Sequence, residues 1–207
     1  MSRRSGDSGH WRRQQGRDAF VARASREGWR SRSVFKLEQI DAGARLFRKG
    51  MVCVDLGACP GGWCQYAAAR IASTGRLLAV DLQQMDPIPG VRFIQGDFTD
   101  STVREQLVAA LDGSQADLVM SDMAPNITGN RAVDQPRAMH LAEEALEFAC
   151  EVLERKGSFL VKLFQGEGFE AFVSGTRERF GSVRIIKPKA SRPESREMYL
   201  LARNHGM

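Results

Sequence analysis

The stretch Val52-Cys53-Val54-Asp55-Leu56-Gly57-Ala58-Cys59-Pro60-Gly61-Gly62-Trp63 decides the fold. An apolar, β-rich run ends in an acid and breaks into a loop of three glycines and a proline. Cys64 to Arg70 then reads as a helix, giving strand, tight turn and helix start. Glycine lets the backbone approach a ligand closely, and a helix start offers free N–H groups, so the loop is suited to holding something polar.

Working outward, short β-rich runs alternate with helical ones. Strands are expected at Met51 to Leu56, Arg76 to Asp81, Val91 to Gln95, Ala116 to Ser121 and Ser158 to Phe164. Helices are expected at Trp63 to Ala72, Thr102 to Leu111, Arg137 to Glu154 and Phe169 to Phe180. Such alternation builds βαβ units, a parallel sheet with helices on both faces. Val183 to Lys187 and Met198 to Ala202 lie close enough in the chain to pair as an antiparallel hairpin at one sheet edge. The fold class is therefore α/β, a doubly wound, mostly parallel, seven-stranded sheet with an antiparallel terminal strand. Upstream, Asp18 to Glu27 reads as a short helix and Ser33 to Phe47 as a longer one.

At 207 residues and 43% hydrophobic content the chain can bury one sizeable core. Four cysteines without a C-x-x-C pair suggest neither a zinc site nor a disulfide framework. A reducing, cytoplasmic setting is expected, with no membrane span and no signal peptide. The net charge of +5 is concentrated at one end: nine arginines and three acids fall between Met1 and Arg32. Interleaved with His10, Trp11, Phe20 and Trp29, they suit a polyanion that also offers bases to stack on. Residues 1–30 are read as a basic, partly disordered arm and 31–207 as a single domain.

In a doubly wound sheet, ligands bind beyond the carboxyl ends of the strands. Asp81 ends the second strand, twenty-six residues beyond Asp55, where such folds place an acid on a ribose hydroxyl pair. The dinucleotide spacing G-x-G-x-x-G is missing, which makes NAD the weaker choice among adenosine cofactors. Asp97, after the third strand, could accept from an adenine amine. Asp122 follows the fourth strand and Lys162 lies in the fifth.

Taken together, Asp55-x-Gly57-x-x-Pro60-Gly61-Gly62-Trp63-x-Gln65, Asp81, Gly96-Asp97-Phe98, Ser121 to Asn126 and Val161-Lys162-x-Phe164-Gln165-Gly166 resemble the FtsJ-type RNA 2′-O-ribose methyltransferases. The resemblance runs from about Arg30 to Ala202 and is nearest to bacterial members acting on a uridine of large-subunit ribosomal RNA. It implies a Rossmann-like class I methyltransferase domain using S-adenosylmethionine and no metal. It implies a donor site of Gly61, Trp63, Asp81, Asp97 and Asp122, and a catalytic set of Lys36, Asp122, Lys162 and Glu197. It also implies a ribosomal RNA partner within the large subunit, a cytoplasmic location and a monomer. Cys59 and Cys64 stand where alanine and serine or threonine are more usual in the family, and both are small enough to keep the pattern.

The chemistry such a set must perform is an in-line displacement with removal of one proton. A lysine at its ordinary pKa of ~10.4 holds its proton at neutral pH. A second cation or desolvation would lower that value and neighbouring carboxylates would raise it. Two assignments stay open: Lys162 accepts the proton, or it orients the hydroxyl while a carboxylate does. Two other functions also stay open, a methyltransferase of transfer RNA or messenger caps, and a catalytically silent ribosome-assembly factor. Arg30, Arg32, Arg192 and Arg196 are expected to grip RNA phosphates near the site.

Overall fold

The structure, a computed structural model, describes residues 19–192 and 194–207. Most of the expected arm, residues 1–18, lies outside them. Two helices precede the sheet, α1 (Ala19–Glu27) and α2 (Val34–Ala44). The alternating part follows as β1 (Val52–Leu56), α3 (Gly62–Ile71), β2 (Arg76–Asp81), β3 (Val91–Gln95), α4 (Ser101–Ala110) and β4 (Ala116–Ser121). The chain closes with α5 (Arg131–Val152), β5 (Leu153–Phe164), α6 (Phe169–Arg179), β6 (Phe180–Ile186) and β7 (Glu197–His205).

The strands form one sheet in the order β3-β2-β1-β4-β5-β7-β6. β1 to β5 run parallel, and β7 inserts antiparallel between β5 and β6. The strand order reverses between β1 and β4, the switch point at which a doubly wound sheet opens a crevice.

Residues along each strand alternate between two cores. Val54, Leu56, Val119, Phe159 and Val161 pack under α4, α5 and α6. Cys53, Leu118, Met120, Leu160, Tyr199 and Leu201 face α1, α2 and α3. α1 is held by its apolar side: Ala24 is buried, and Phe20 packs on Phe35 of α2 with ring centroids 5.6 Å apart.

β6 and β7 extend beyond the expected hairpin runs, to Phe180–Ile186 and Glu197–His205, and three further departures have local reasons. β5 begins at Leu153, because pairing with β4 continues across an irregularity in which Lys156 takes φ 74°. α5 begins upstream of Pro136, because the Asn130 side chain accepts from Ala132 N–H and caps the first turn. α2 stops at Ala44, because Arg45 turns left-handed and Asp41 Oδ1 accepts from the N–H groups of Leu46 and Phe47.

Candidate active site

Beyond the carboxyl ends of β1, β2, β3 and β4 lies a cavity lined by Gly57, Asp81, Gly96, Asp97, Asp122 and Met123, among others. Two of its carboxylates, Asp81 and Asp97, are fixed by donors close by. Asp81 Oδ2 accepts from Cys59 N–H at 2.8 Å and Oδ1 from Gln83 N–H at 2.8 Å, which sets the side chain across the mouth of the glycine loop. Asp97 Oδ1 accepts from the N–H and hydroxyl of Thr99, and these bonds hold its carboxyl below the usual range. Under the loop, Asp55 is fully buried and accepts from the Cys64 thiol at 3.0 Å. Burial pushes its carboxyl up to about 7, with Asp122 and Asp81 adding to the rise.

The glycine loop itself is used differently from the sequence expectation. A Cβ at Gly61 would stand 2.8 Å from Ile88 and 3.1 Å from Arg30 Cδ, and one at Gly62 would stand 2.3 Å from Ser31 Oγ. The close approach permitted there is taken by the chain's own segments. Gly61 starts α3 without a side-chain cap, and Trp63 is buried, its indole N–H donating to the Ser33 carbonyl at 3.0 Å.

Across Asp122 from this cavity, the four residues expected to act together do meet. Strand register explains how. Lys162 of β5 stands opposite Tyr199 of β7, and Phe164 opposite Glu197. Lys162, Glu197 and Tyr199 therefore project from the sheet face that α2 covers. α2 brings Lys36 to that face, and Asp122 follows the last residue of β4. Lys36 Nζ pairs with Glu197 Oε1 at 2.6 Å, and Lys162 Nζ with Asp122 Oδ1 at 3.2 Å. Lys162 also donates to the Asp122 carbonyl. The Lys162 side chain is only 9% exposed, so its ammonium is held by these partners rather than by water.

Tyr199 joins the two pairs, and sequence reasoning gave it no role. Its hydroxyl donates to Asp122 Oδ1 at 2.7 Å, while Lys36 Nζ lies 5.9 Å from its ring and Trp63 packs against it. Complete burial, with Asp122 and Glu197 nearby, keeps the phenol protonated by raising its pKa well above normal. The available signal was its place two residues after Glu197, the same face of one strand. Ser191 donates to Glu197 Oε1 at 2.7 Å, fixing the carboxylate from the β6–β7 loop.

A second cavity opens on this side, lined by Arg32, Lys36, Arg192, Ser195 and Glu197 among others. Arg30, expected with Arg32 at the phosphate-binding mouth, donates instead to carbonyls of the loops after β1 and β2. Among the described residues no group of three or more His, Cys, Asp or Glu stands where it could hold a metal ion. Nor is any described helix long and apolar enough to cross a membrane.

This strand order, with one antiparallel strand and a carboxylate-lined crevice at its switch point, defines a Rossmann-like methyltransferase fold. A family model of FtsJ-like methyltransferases matches residues 29–205, and the chain belongs to that family. The protein named ribosomal RNA large subunit methyltransferase E of Hydrogenovibrio crunogenus is 49% identical over 200 residues, 97% of each chain. Its namesake in Halorhodospira halophila is 55% identical over 186 residues, 90% of this chain and 88% of that one. A crystal structure from Plasmodium falciparum, assigned as a ribosomal RNA methyltransferase, is 28% identical with a TM-score of 0.76, covering 86% of this chain and 98% of that one. A Streptococcus mutans chain solved in complex with SAH shares the fold at a TM-score of 0.51 and 12% identity, covering 80% of this chain and 94% of its own.

Proposed function

We propose that this chain transfers a methyl group from S-adenosylmethionine to the 2′-hydroxyl of a uridine ribose in large-subunit ribosomal RNA, during ribosome maturation. The observation that carries the proposal is the convergence of two lysine–carboxylate pairs on Tyr199, beside a carboxylate-lined crevice. The relatives' names supply the ribosomal substrate.

The residues present suit the donor. Asp81 offers acceptors for ribose hydroxyls and Asp97 an acceptor for an adenine amine, while Gly61 and Trp63, packed against the chain's own segments, would shape the loop that carries the donor rather than touch it. Asp122 places negative charge on the same cavity, which favours a cationic donor. Bound S-adenosylmethionine supplies a methyl carbon on a positively charged sulfur, so no further activation of the leaving group is needed. Lys36 and Glu197 would position the ribose so that its 2′-oxygen lies in line with that carbon, an alignment that can supply several kcal/mol of the barrier. Lys162 Nζ would take the hydroxyl proton as the methyl group passes to the 2′-oxygen. Asp122, shared between Lys162 and Tyr199, orients the amine.

The arm up to residue 30 and the rims carrying Arg32, Arg192 and Arg196 would draw in RNA, with the catalytic domain spanning residues 31–207. All four cysteines are free, as a reducing cytoplasm keeps them, and the chain acts there as a monomer. Transfer of labelled methyl groups to naked ribosomal RNA, isolated large subunits, intact ribosomes and transfer RNA tests the proposal. A single uridine modified on its 2′-oxygen is expected. Incorporation only into transfer RNA would move the substrate, and none at all would leave a silent assembly factor.

A further inference from the structure

Resting on that donor-site reading, we propose that Arg30 is a positioning residue for the methyl donor, tying the glycine loop to the β2–β3 loop and so fixing the rim of the donor cavity. An arginine in a basic arm invites a phosphate contact, yet this guanidinium serves three carbonyls. One terminal nitrogen donates to Pro60 O at 3.4 Å and to Asp86 O at 2.6 Å, and the other donates to Pro87 O at 2.9 Å. Pro60 belongs to the loop after β1, whereas Asp86 and Pro87 belong to the loop after β2, whose first residues, Leu82 and Gln83, line the cavity. A planar fork can span two loops in this way, and a lysine, with one point charge, cannot reproduce it.

The backbone around Arg30 is fixed from α3, the helix that follows the glycine loop. Arg30 N–H donates to Gln65 Oε1 at 2.8 Å, and Gln65 Nε2 donates to the Gly28 carbonyl at 3.2 Å. Gly61 and Gly62 lack side chains where Arg30 Cδ and Ser31 Oγ press against them. Gly61 also sits at φ 108°, a conformation that L side chains rarely adopt. Two of the loop's three glycines thus accommodate this strut. Because the donor would touch both tied loops while the RNA backbone would touch neither, the effect of Arg30 falls on donor affinity.

Calorimetric binding of S-adenosylhomocysteine to the full chain, beside RNA affinity measured against salt, tests this. Arg30→Ala is expected to weaken S-adenosylhomocysteine about tenfold. Arg30→Lys should recover only part of that loss. Turnover at saturating donor should stay within about threefold of wild type, marking a KM effect. Amide exchange at Asp86 and Ile88 should quicken while the sheet stays protected. The salt dependence of RNA binding should be unchanged. Wild-type donor affinity in Arg30→Ala would overturn the proposal, as would a salt slope reduced by about one, the mark of a lost phosphate contact. Should Arg30→Ala fail to fold, Arg30→Lys decides alone: weakened donor binding supports the strut and wild-type binding overturns it. If the wild-type chain itself binds no S-adenosylhomocysteine, the donor-site reading falls and takes the inference with it.

Discussion

The proposed donor cavity is lined by the carboxylates Asp81, Asp97 and Asp122, whereas the proposed acceptor cavity mixes Arg32, Lys36 and Arg192 with Glu194 and Glu197. Their construction differs as much as their charge. On the donor side Asp81 and Asp97 are held by N–H groups within two residues or on the neighbouring loop. On the acceptor side the charged groups hold one another, and their partners come from helices and strands far apart in the chain. A site assembled from backbone donors tolerates loss of one side chain as a local change. One assembled from mutual ion pairs leaves a charge stranded when a partner is removed.

The largest expected difference between the two halves is therefore in rate. Lys162→Ala should lower single-turnover methyl transfer by about 10³-fold, within the range for a removed proton acceptor. It should leave S-adenosylhomocysteine binding within about threefold. Retention of most of the transfer rate in Lys162→Ala would end its assignment as base.

Asp55 gives the next effect, beneath the donor loop and on stability. Its carboxyl is pushed up to about 7 by burial, so the folded chain keeps a proton that the unfolded chain releases near ~4. The stability this contributes is fully present below about 4 and is lost as pH rises through about 7. Asp55→Asn, which cannot ionise, should remove that decline, on the order of 2–4 kcal/mol between the two ends. Asp97, held low, works in the opposite sense, its contribution being lost as pH falls. Urea unfolding of both chains at pH 5 and pH 8 measures the difference, and an undiminished decline in Asp55→Asn would show that the slope comes from elsewhere.

Asp81→Asn should weaken S-adenosylhomocysteine by about tenfold, the scale of one charge-assisted hydrogen bond, with RNA affinity unmoved. A matching loss of RNA affinity would mean that the two cavities are not separable.

How much of this was legible in the sequence follows the same division. Asp81 and Asp97 were readable because each ends or follows a strand whose bounds are marked by β-rich residues, and the site they join is local to those strand ends. The bounds of β2, β3 and β4 fall where the pattern put them, while those of β5 and α5 do not. Lys156 at positive φ and Pro136 within a helix are overridden by pairing and capping, which no periodicity reports. Lys36 and Glu197 came together only through family resemblance, since helix and strand spacing says nothing of contacts across 161 positions. Tyr199 was hidden by its type: an aromatic residue in a strand is ordinarily core, and this one is both core and hydrogen-bonded to Asp122. Arg30 was misplaced for a similar reason, because arginine-rich composition signals phosphate binding and cannot show that a guanidinium donates to the chain's own carbonyls.

The smallest effect separates the cavities by charge alone. Arg192 lines the proposed acceptor cavity beside Lys36 and Glu197. If it faces an RNA phosphate, Arg192→Ala should reduce the slope of log affinity against log salt by about 0.7 to 0.9, one counterion's worth. Near physiological salt the affinity itself should fall only about two- to fivefold, since screening weakens exposed charges. Donor affinity should not move, because the donor cavity is lined from other loops. The same salt titration on Asp81→Asn supplies the contrast: its slope should match wild type, a carboxylate there meeting the donor and no phosphate. An unchanged slope in Arg192→Ala would remove Arg192 from the RNA path and leave the acceptor cavity's positive field to Arg32, Lys36 and the arm.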